Sequence, residues 1–428
     1  MTTRPASAAV RRLTAARGGA LLVIGILVLA ANLRAAITSL PPIFPEMESV
    51  LRLPASELAL LAAVPVLCFG IFSGSAAPLS RRFGEERVLG AALVLLALGL
   101  ALRGASPQSL LFPGTIVAGA AIALLNVLLP SLVKRRMPDR AGLVIGLYLL
   151  MLSAGAIVAS LLAVPVFNSV AGSAVPPAGQ GDTAIRITLA MWAVPALVAA
   201  AIWAPQLRHR TLPEGAAAQP AGDAVLVRRR TAAVMVRSGL AWQVMVFMGL
   251  QSLSYYATLS WFPTMFRDRG VSAVHAGDLL ALMNLGNAVT ALLVPVLAHR
   301  AADQRWLAAA AMAATGAGLT GAIFGPASLA AGSILVLGLG QGATLGLGIY
   351  FTMARAPDAV TAASLSGFAQ GAGYLIASSG PLTIGFLHDE SGGWTLPGAV
   401  LLGVAVLQLI TGWLSGRARM VPAVLSQL

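Results

Sequence analysis

The chain has 428 residues, 58% of them hydrophobic and only 10% charged, and a mean hydropathy of +0.85. A water-soluble core cannot absorb that much apolar surface, so the composition excludes an ordinary soluble protein and predicts a polytopic membrane protein. The net charge of +13 does not point to nucleic acid, because the basic residues fall in short clusters between apolar stretches, as they do in membrane topology.

The first apolar stretch, about 18–44, follows Arg4, Arg11, Arg12 and Arg17 and is too long for a cleaved signal. Arg34 lies inside it. A guanidinium keeps its proton there, at a cost of at least ~2.5–3.5 kcal/mol on insertion scales. The expected use is to hold an anion, or an electron-rich polar molecule, partway across the bilayer; the alternative is a structural bond to carbonyls or a neighbouring helix. Asn32 is read either as a substrate contact or as a group that orients Arg34. Further stretches follow at about 56–79, 88–104, 109–133, 141–167 and 184–205, then at 238–265, 275–298, 305–324, 328–352, 359–387 and 394–415, twelve spans in all. The longest hydrophilic connection carries Pro213, Gly215, Pro220 and Arg228–Arg230 and reads as a flexible linker. The expected division is residues 1–205, a linker over 206–237, and residues 238–428. Arg52, Arg103, Arg186, Arg267 and Arg269 are assigned to the outer segments. With Arg34 inside a span, that leaves 22 of the 28 basic residues on the side of both termini. The asymmetry predicts cytoplasmic termini in a bacterial inner membrane.

Polar residues deep in the spans give the candidate site. They are Asn126 in span 4, Tyr148 in span 5, Gln251 and Tyr255 in span 7, Asn284 and Asn287 in span 8, Gln341 in span 10, and Gln370 and Tyr374 in span 11. Arg34, Asn32, Asn126, Tyr148, Gln251, Tyr255, Asn287 and Gln370 form the expected substrate-binding set. Glue between helices is the plainer alternative for the amides. Trp242, Trp261 and Trp394 near span ends read as interfacial anchors, with Trp261 alternatively walling off the outer cavity. No Asp or Glu lies in the middle of a span, and Glu57 and Asp278 are the nearest. Cys68 reads as a small buried side chain, and the four histidines show no ligand spacing, so no metal or cofactor is expected. There is no Ser/His/Asp set, phosphate loop or carboxylate pair, so an enzyme is not expected. The linker is too short for the output domain of a sensor.

The two sets of spans repeat. At an offset of 221, Pro42 aligns with Pro263, Ser39 with Ser260, Leu40 with Trp261, Glu57 with Asp278 and Arg34 with Tyr255. At 219, the run Arg136–Asp139 recurs as Arg355–Asp358. Two parallel six-helix repeats predict a site between the halves near the midplane. There Arg34 and Tyr255 would each present a donor to one substrate.

Four segments carry a family resemblance: ANLRAAITSLPPIFP in span 1, GAAIALLNVLLPSLVKRRMPDRAG in span 4, AWQVMVFMGLQSLSYYATLSWFP in span 7 and SGFAQGAGYLIASSGPLTIGFLHD in span 11. They resemble the cyanate-transporter and nitroimidazole-transporter branch of the major facilitator superfamily. The resemblance implies an all-α membrane protein of twelve helices in two pseudo-symmetric bundles, with spans 1, 2, 4, 5, 7, 8, 10 and 11 lining the cavity. It implies a secondary active or facilitative transporter working by alternating access. The expected partners are a small-molecule substrate and the lipid bilayer, with no nucleic acid, and the expected form is a functional monomer. The expected cargo is a small anion, cyanate-like or a small carboxylate or oxyanion; the alternative is export of neutral nitroheteroaromatic or drug-like compounds. In the family's loop between spans 2 and 3, Gly-x-x-x-Asp-Arg-x-Gly-Arg, this chain has Ala77 to Glu85 with Arg81 at the Asp position. Glu85 and Glu86 are the candidates to replace that acid.

Overall fold

No water reaches a bilayer core to bond backbone N–H and C=O groups, so a chain this apolar must satisfy them inside helices. A computed structural model describes residues 6–172, 179–208 and 232–423, and no strand occurs among them. Most of the expected linker, and the middle of the outer connection at about 168–183, lie outside the described residues.

The helices of spanning length are α1 (Ala6–Thr38), α2 (Ala55–Phe72), α3 (Glu85–Ala105), α4 (Pro107–Arg136) and α5 (Ala141–Ala171). Next comes α6, in two pieces (Gln180–Ala190 and Ala193–Trp203). Then follow α7 (Gly239–Asp268), α8 (Ala273–Arg300), α9 (Arg305–Phe324), α10 (Ala330–Ala354), α11 (Ala359–Ser391) and α12 (Thr395–Ser415). The break in α6 falls at Met191–Trp192, where Pro195 removes the N–H that would bond Met191 and crowds its carbonyl. Ten of the twelve are apolar enough to cross a membrane on composition. The other two, α7 and α11, are long enough, at 30 and 33 residues, but carry too many polar groups. Lipid would not tolerate those groups, and α7 is enclosed along most of its length.

Across the halves, α2 packs on α11 and α5 on α8. Small residues permit the approach: a Cβ at Gly277 would stand 2.8 Å from the Ser160 carbonyl oxygen. The end of the bundle away from the termini is sealed by aromatic rings. Trp261 is 1% exposed, meets Phe44 edge-on at 6.0 Å, lies 6.1 Å from Trp394 and donates its Nε1–H to the Pro381 carbonyl at 2.9 Å. It is therefore a buried wall, not an interfacial anchor. At the terminal end, Glu85 and Glu86 are buried and face the arginines that end α4. Glu85 pairs with Arg135, and Glu86 lies 3.7 Å from Arg136. The repeat reaches here too: Arg355, counterpart of Arg136, bonds Gln304 and the carbonyls of Ser415 and Gly416.

Arg103, assigned from the sequence to an outer segment, is a buried side chain within the last turn of α3 rather than a loop residue. It is 1% exposed, donating Nη1–H to the Ala36 carbonyl at 2.7 Å and Nε–H to Thr115 Oγ1 at 3.0 Å. The cause is the end of α1. Pro41 and Pro42 lack N–H groups and Leu40 N–H turns to Ile37, so the Ala36 carbonyl lacks its usual i+4 donor. A cation at that negative helix end supplies one. Arg103→Ala is expected to cost about 1–3 kcal/mol by leaving this carbonyl without its donor. A thermal unfolding midpoint will fall while ligand affinity of the folded fraction stays unchanged.

Candidate functional site

Arg34 leaves α1 four residues before its last residue, Thr38, and reaches across to the other half. Its Nη1–H donates to the Tyr255 hydroxyl on α7 at 2.8 Å, and its guanidinium carbon stands 4.9 Å from the centre of the Tyr255 ring. The Tyr255 hydroxyl passes its own proton to Asn284 Oδ1 at 2.8 Å, and Asn284 Nδ2–H donates to the Leu280 carbonyl one turn back in α8. The chain of bonds thus runs from cation to phenol to amide to backbone, with every donor aimed away from Arg34. The residues aligned by the repeat touch one another rather than standing apart as two separate donors.

Arg34 is half-buried and makes no ion pair among the described residues. Tyr255 takes one of the five N–H donors in its planar fork. Tyr148, Tyr256 and Tyr374 lie near enough to interact with the charge electrostatically. Four of the chain's five tyrosines thus lie near this one arginine, and the Tyr255 ring face beside the guanidinium favours the cation. Tyr256 meets Tyr255 edge-on at 5.2 Å, and Tyr374 meets Phe69 of α2 edge-on at 5.5 Å.

The other expected residues divide. Tyr148 donates to Asn126 Oδ1 at 3.1 Å, tying α5 to α4, with Asn126 partly exposed. Asn32 is buried and donates to the Val28 carbonyl of its own helix at 2.8 Å. Residues two apart on a helix leave it in nearly opposite directions, so the backbone does not bring Asn32 and Arg34 together. Gln251 is 4% exposed and its amide lies along α10, 3.5 Å from the Gln341 carbonyl. Gln341 in turn donates to Thr258 at 3.0 Å. Asn287 is buried, and its Nδ2 has no partner among the described residues. Gln370 is exposed and donates to Ser366 Oγ on its own helix at 2.8 Å. The closest geometry around Arg34 therefore uses Tyr255 and Asn284, with Tyr148, Tyr256 and Tyr374 near the charge. Tyr256 was missed. Its signal was available, since a tyrosine at mid-span, away from the interface, is unusual. No three His, Cys, Asp or Glu side chains cluster among the described residues.

Arg34 and Arg103 differ in their surroundings. Arg103 is fully enclosed and bonded to a carbonyl and a threonine, which describes a brace. Among the described residues Arg34 has one hydrogen-bond partner, a phenol, and its side chain is only half-buried.

Comparison with known proteins gives concordant matches. The profile of the Major Facilitator Superfamily matches residues 22–381. The 2-nitroimidazole transporter of Escherichia coli is 38% identical over 91% of this chain and 93% of its own length. The cyanate transport protein CynX of Escherichia coli is 30% identical over 88% of this chain and 94% of its own. Among solved structures, the inward-open xylose transporter XylE from E. coli superposes with a TM-score of 0.68 at 16% identity, covering 92% of this chain and 95% of that one.

Proposed function

This chain belongs to the Major Facilitator Superfamily, and on that premise we propose that it carries a small anion across the membrane by alternating access, with Arg34 as the central binding residue. The cargo is cyanate-like or a small carboxylate or oxyanion. One observation carries the reading: a guanidinium inside a membrane span that, among the described residues, has Tyr255 as its one hydrogen-bond partner, no acid paired to it, and a side chain that is only half-buried. A charge in that position is costly when empty and compensated when an anion binds. Two coplanar oxygens match the fork that Tyr255 leaves free. The distribution of basic residues supports cytoplasmic termini, and the reading takes the monomer as the working unit.

A second reading rests on the rings. Tyr255 offers its ring face to the cation, Tyr256 and Tyr374 lie near the charge, and Phe69 packs edge-on against Tyr374. A neutral nitroheteroaromatic also presents two coplanar oxygens. The relative at 38% identity is named for 2-nitroimidazole.

Thermal shift of the purified protein separates the two. A ligand at 100 times its Kd adds about 2.7 kcal/mol to stability. The anion reading expects cyanate or benzoate to raise the unfolding midpoint, 2-nitroimidazole to leave it in place, and Arg34→Ala to erase the shift. The opposite pattern selects the nitroaromatic reading. A shift from anions that survives in Arg34→Ala overturns the role given to Arg34.

A further inference from the structure

Two side-chain hydrogen bonds join the halves among the described residues, Arg34 to Tyr255 and Glu46 to Arg267. Each links positions 221 apart, which is also the offset that aligns Pro42 with Pro263. Under a twofold relation, a residue lies beside its own counterpart only where both sit on the axis. The two pairs therefore mark two points on one pseudo-twofold axis. Arg34 and Tyr255 mark it at mid-depth. Glu46 and Arg267 mark it at the end away from the termini, twelve residues further along the chain, which is about 18 Å of helix.

We propose that the Glu46–Arg267 ion pair is an axial latch that holds this far end closed, and that the far end opens only when the pair separates. When two rigid halves rock about a mid-depth site, the separation of facing points grows with their distance from the pivot. Arg34 and Tyr255 lie near the pivot and stay together, whereas Glu46 and Arg267 lie far from it and must part. Their chemistry suits a reversible contact. The pair is short, 2.7 Å, and half-buried, with side chains 23% and 12% exposed. That shields it from full solvent screening yet leaves water within reach of both charges once they separate. The neighbours of Arg267 are committed elsewhere: Asp268 accepts from Trp394 at 2.9 Å, and Arg269 donates to the Ala322 carbonyl at 2.6 Å. Phe44, two residues before Glu46 on the same short helix, meets Trp261, six residues before Arg267 in α7, so the latch and the aromatic seal close the same end. An exact repeat would set Glu against Glu or Arg against Arg here. Only divergence of the two halves at this position places acid against base.

The test needs no substrate. Ser39 lies between the two axial pairs in sequence, is 2% exposed, and its hydroxyl has no partner among the described residues. A cysteine is placed there by Ser39→Cys in a Cys68→Ala background, and its alkylation rate by a maleimide reports opening. Glu46→Arg, which faces Arg267 with a second arginine, is expected to speed alkylation about tenfold, equivalent to about 1.4 kcal/mol. Combining Glu46→Arg with Arg267→Glu is expected to return the rate to within about twofold of the parent, because the pair is rebuilt in reverse. Unchanged alkylation in Glu46→Arg overturns the proposal, as does a reversed pair that labels as fast as the single variant. If Glu46→Arg does not fold, Glu46→Gln carries the test: a faster rate supports the latch and an unchanged rate overturns it.

Discussion

Arg34→Ala is expected to weaken anion binding by about 3 kcal/mol, roughly a hundredfold, because it removes a charge-assisted, two-pronged contact. Uptake into proteoliposomes should fall to background. Stability should not fall with it. The native guanidinium is bonded only through Tyr255 among the described residues, so alanine relieves an uncompensated charge and leaves one phenol that still donates to Asn284. The unfolding midpoint should hold or rise, the reverse of the pattern expected for Arg103→Ala. Arg34→Lys keeps the charge but gives up the planar fork, so it should retain part of the affinity for a single-site anion and less for a carboxylate. Isothermal titration of the three proteins with cyanate and benzoate checks the order. If alanine unfolds the protein while binding per folded molecule persists, Arg34 is a brace like Arg103.

The legible parts of the sequence were those that lipid dictates. A bilayer fixes span length, so the helices fall close to the apolar stretches, and a charge inside one of those stretches is conspicuous. Even α7 and α11, too polar to pass as spans on composition, are readable because each still shows as an apolar stretch, at about 238–265 and 359–387. The repeat was visible as an offset, but its consequence was not. That Arg34 and Tyr255 meet, as do Glu46 and Arg267, follows from where the axis runs. Arg103 was misplaced because it lies two residues from the end of α3. There a long side chain can turn to water or inward, and the inward pull comes from a carbonyl on another helix. Sequence spacing does not show where three of the amides bond. Asn32 is two residues from Arg34 in sequence and opposed to it on the helix. Gln251 shares a face with Tyr255, yet it bends to α10. Gln370 bonds within its own turn.

Tyr255→Phe should also lower affinity, by about tenfold, and the more informative quantity is its coupling to Arg34. The substitution keeps the ring under the guanidinium and removes only the oxygen at 2.8 Å. Without that anchor the fork regains rotational freedom, which must be frozen again when ligand binds, at about 0.5–1.5 kcal/mol for such a side chain. It also leaves Asn284 Oδ1, on a residue that is 1% exposed, without its donor, so some stability is lost as well. If Tyr255 acts by orienting Arg34, the affinity loss should vanish in an Arg34→Ala background, since there is no longer a fork to hold. If Tyr255 instead touches the ligand independently, the two losses should add. A double-mutant cycle measured by titration at one pH distinguishes these outcomes, with contacting residues expected to couple by about 0.5–3 kcal/mol. The stability loss should persist in both backgrounds, because the bond from Tyr255 to Asn284 lies wholly within the second half and does not need the arginine.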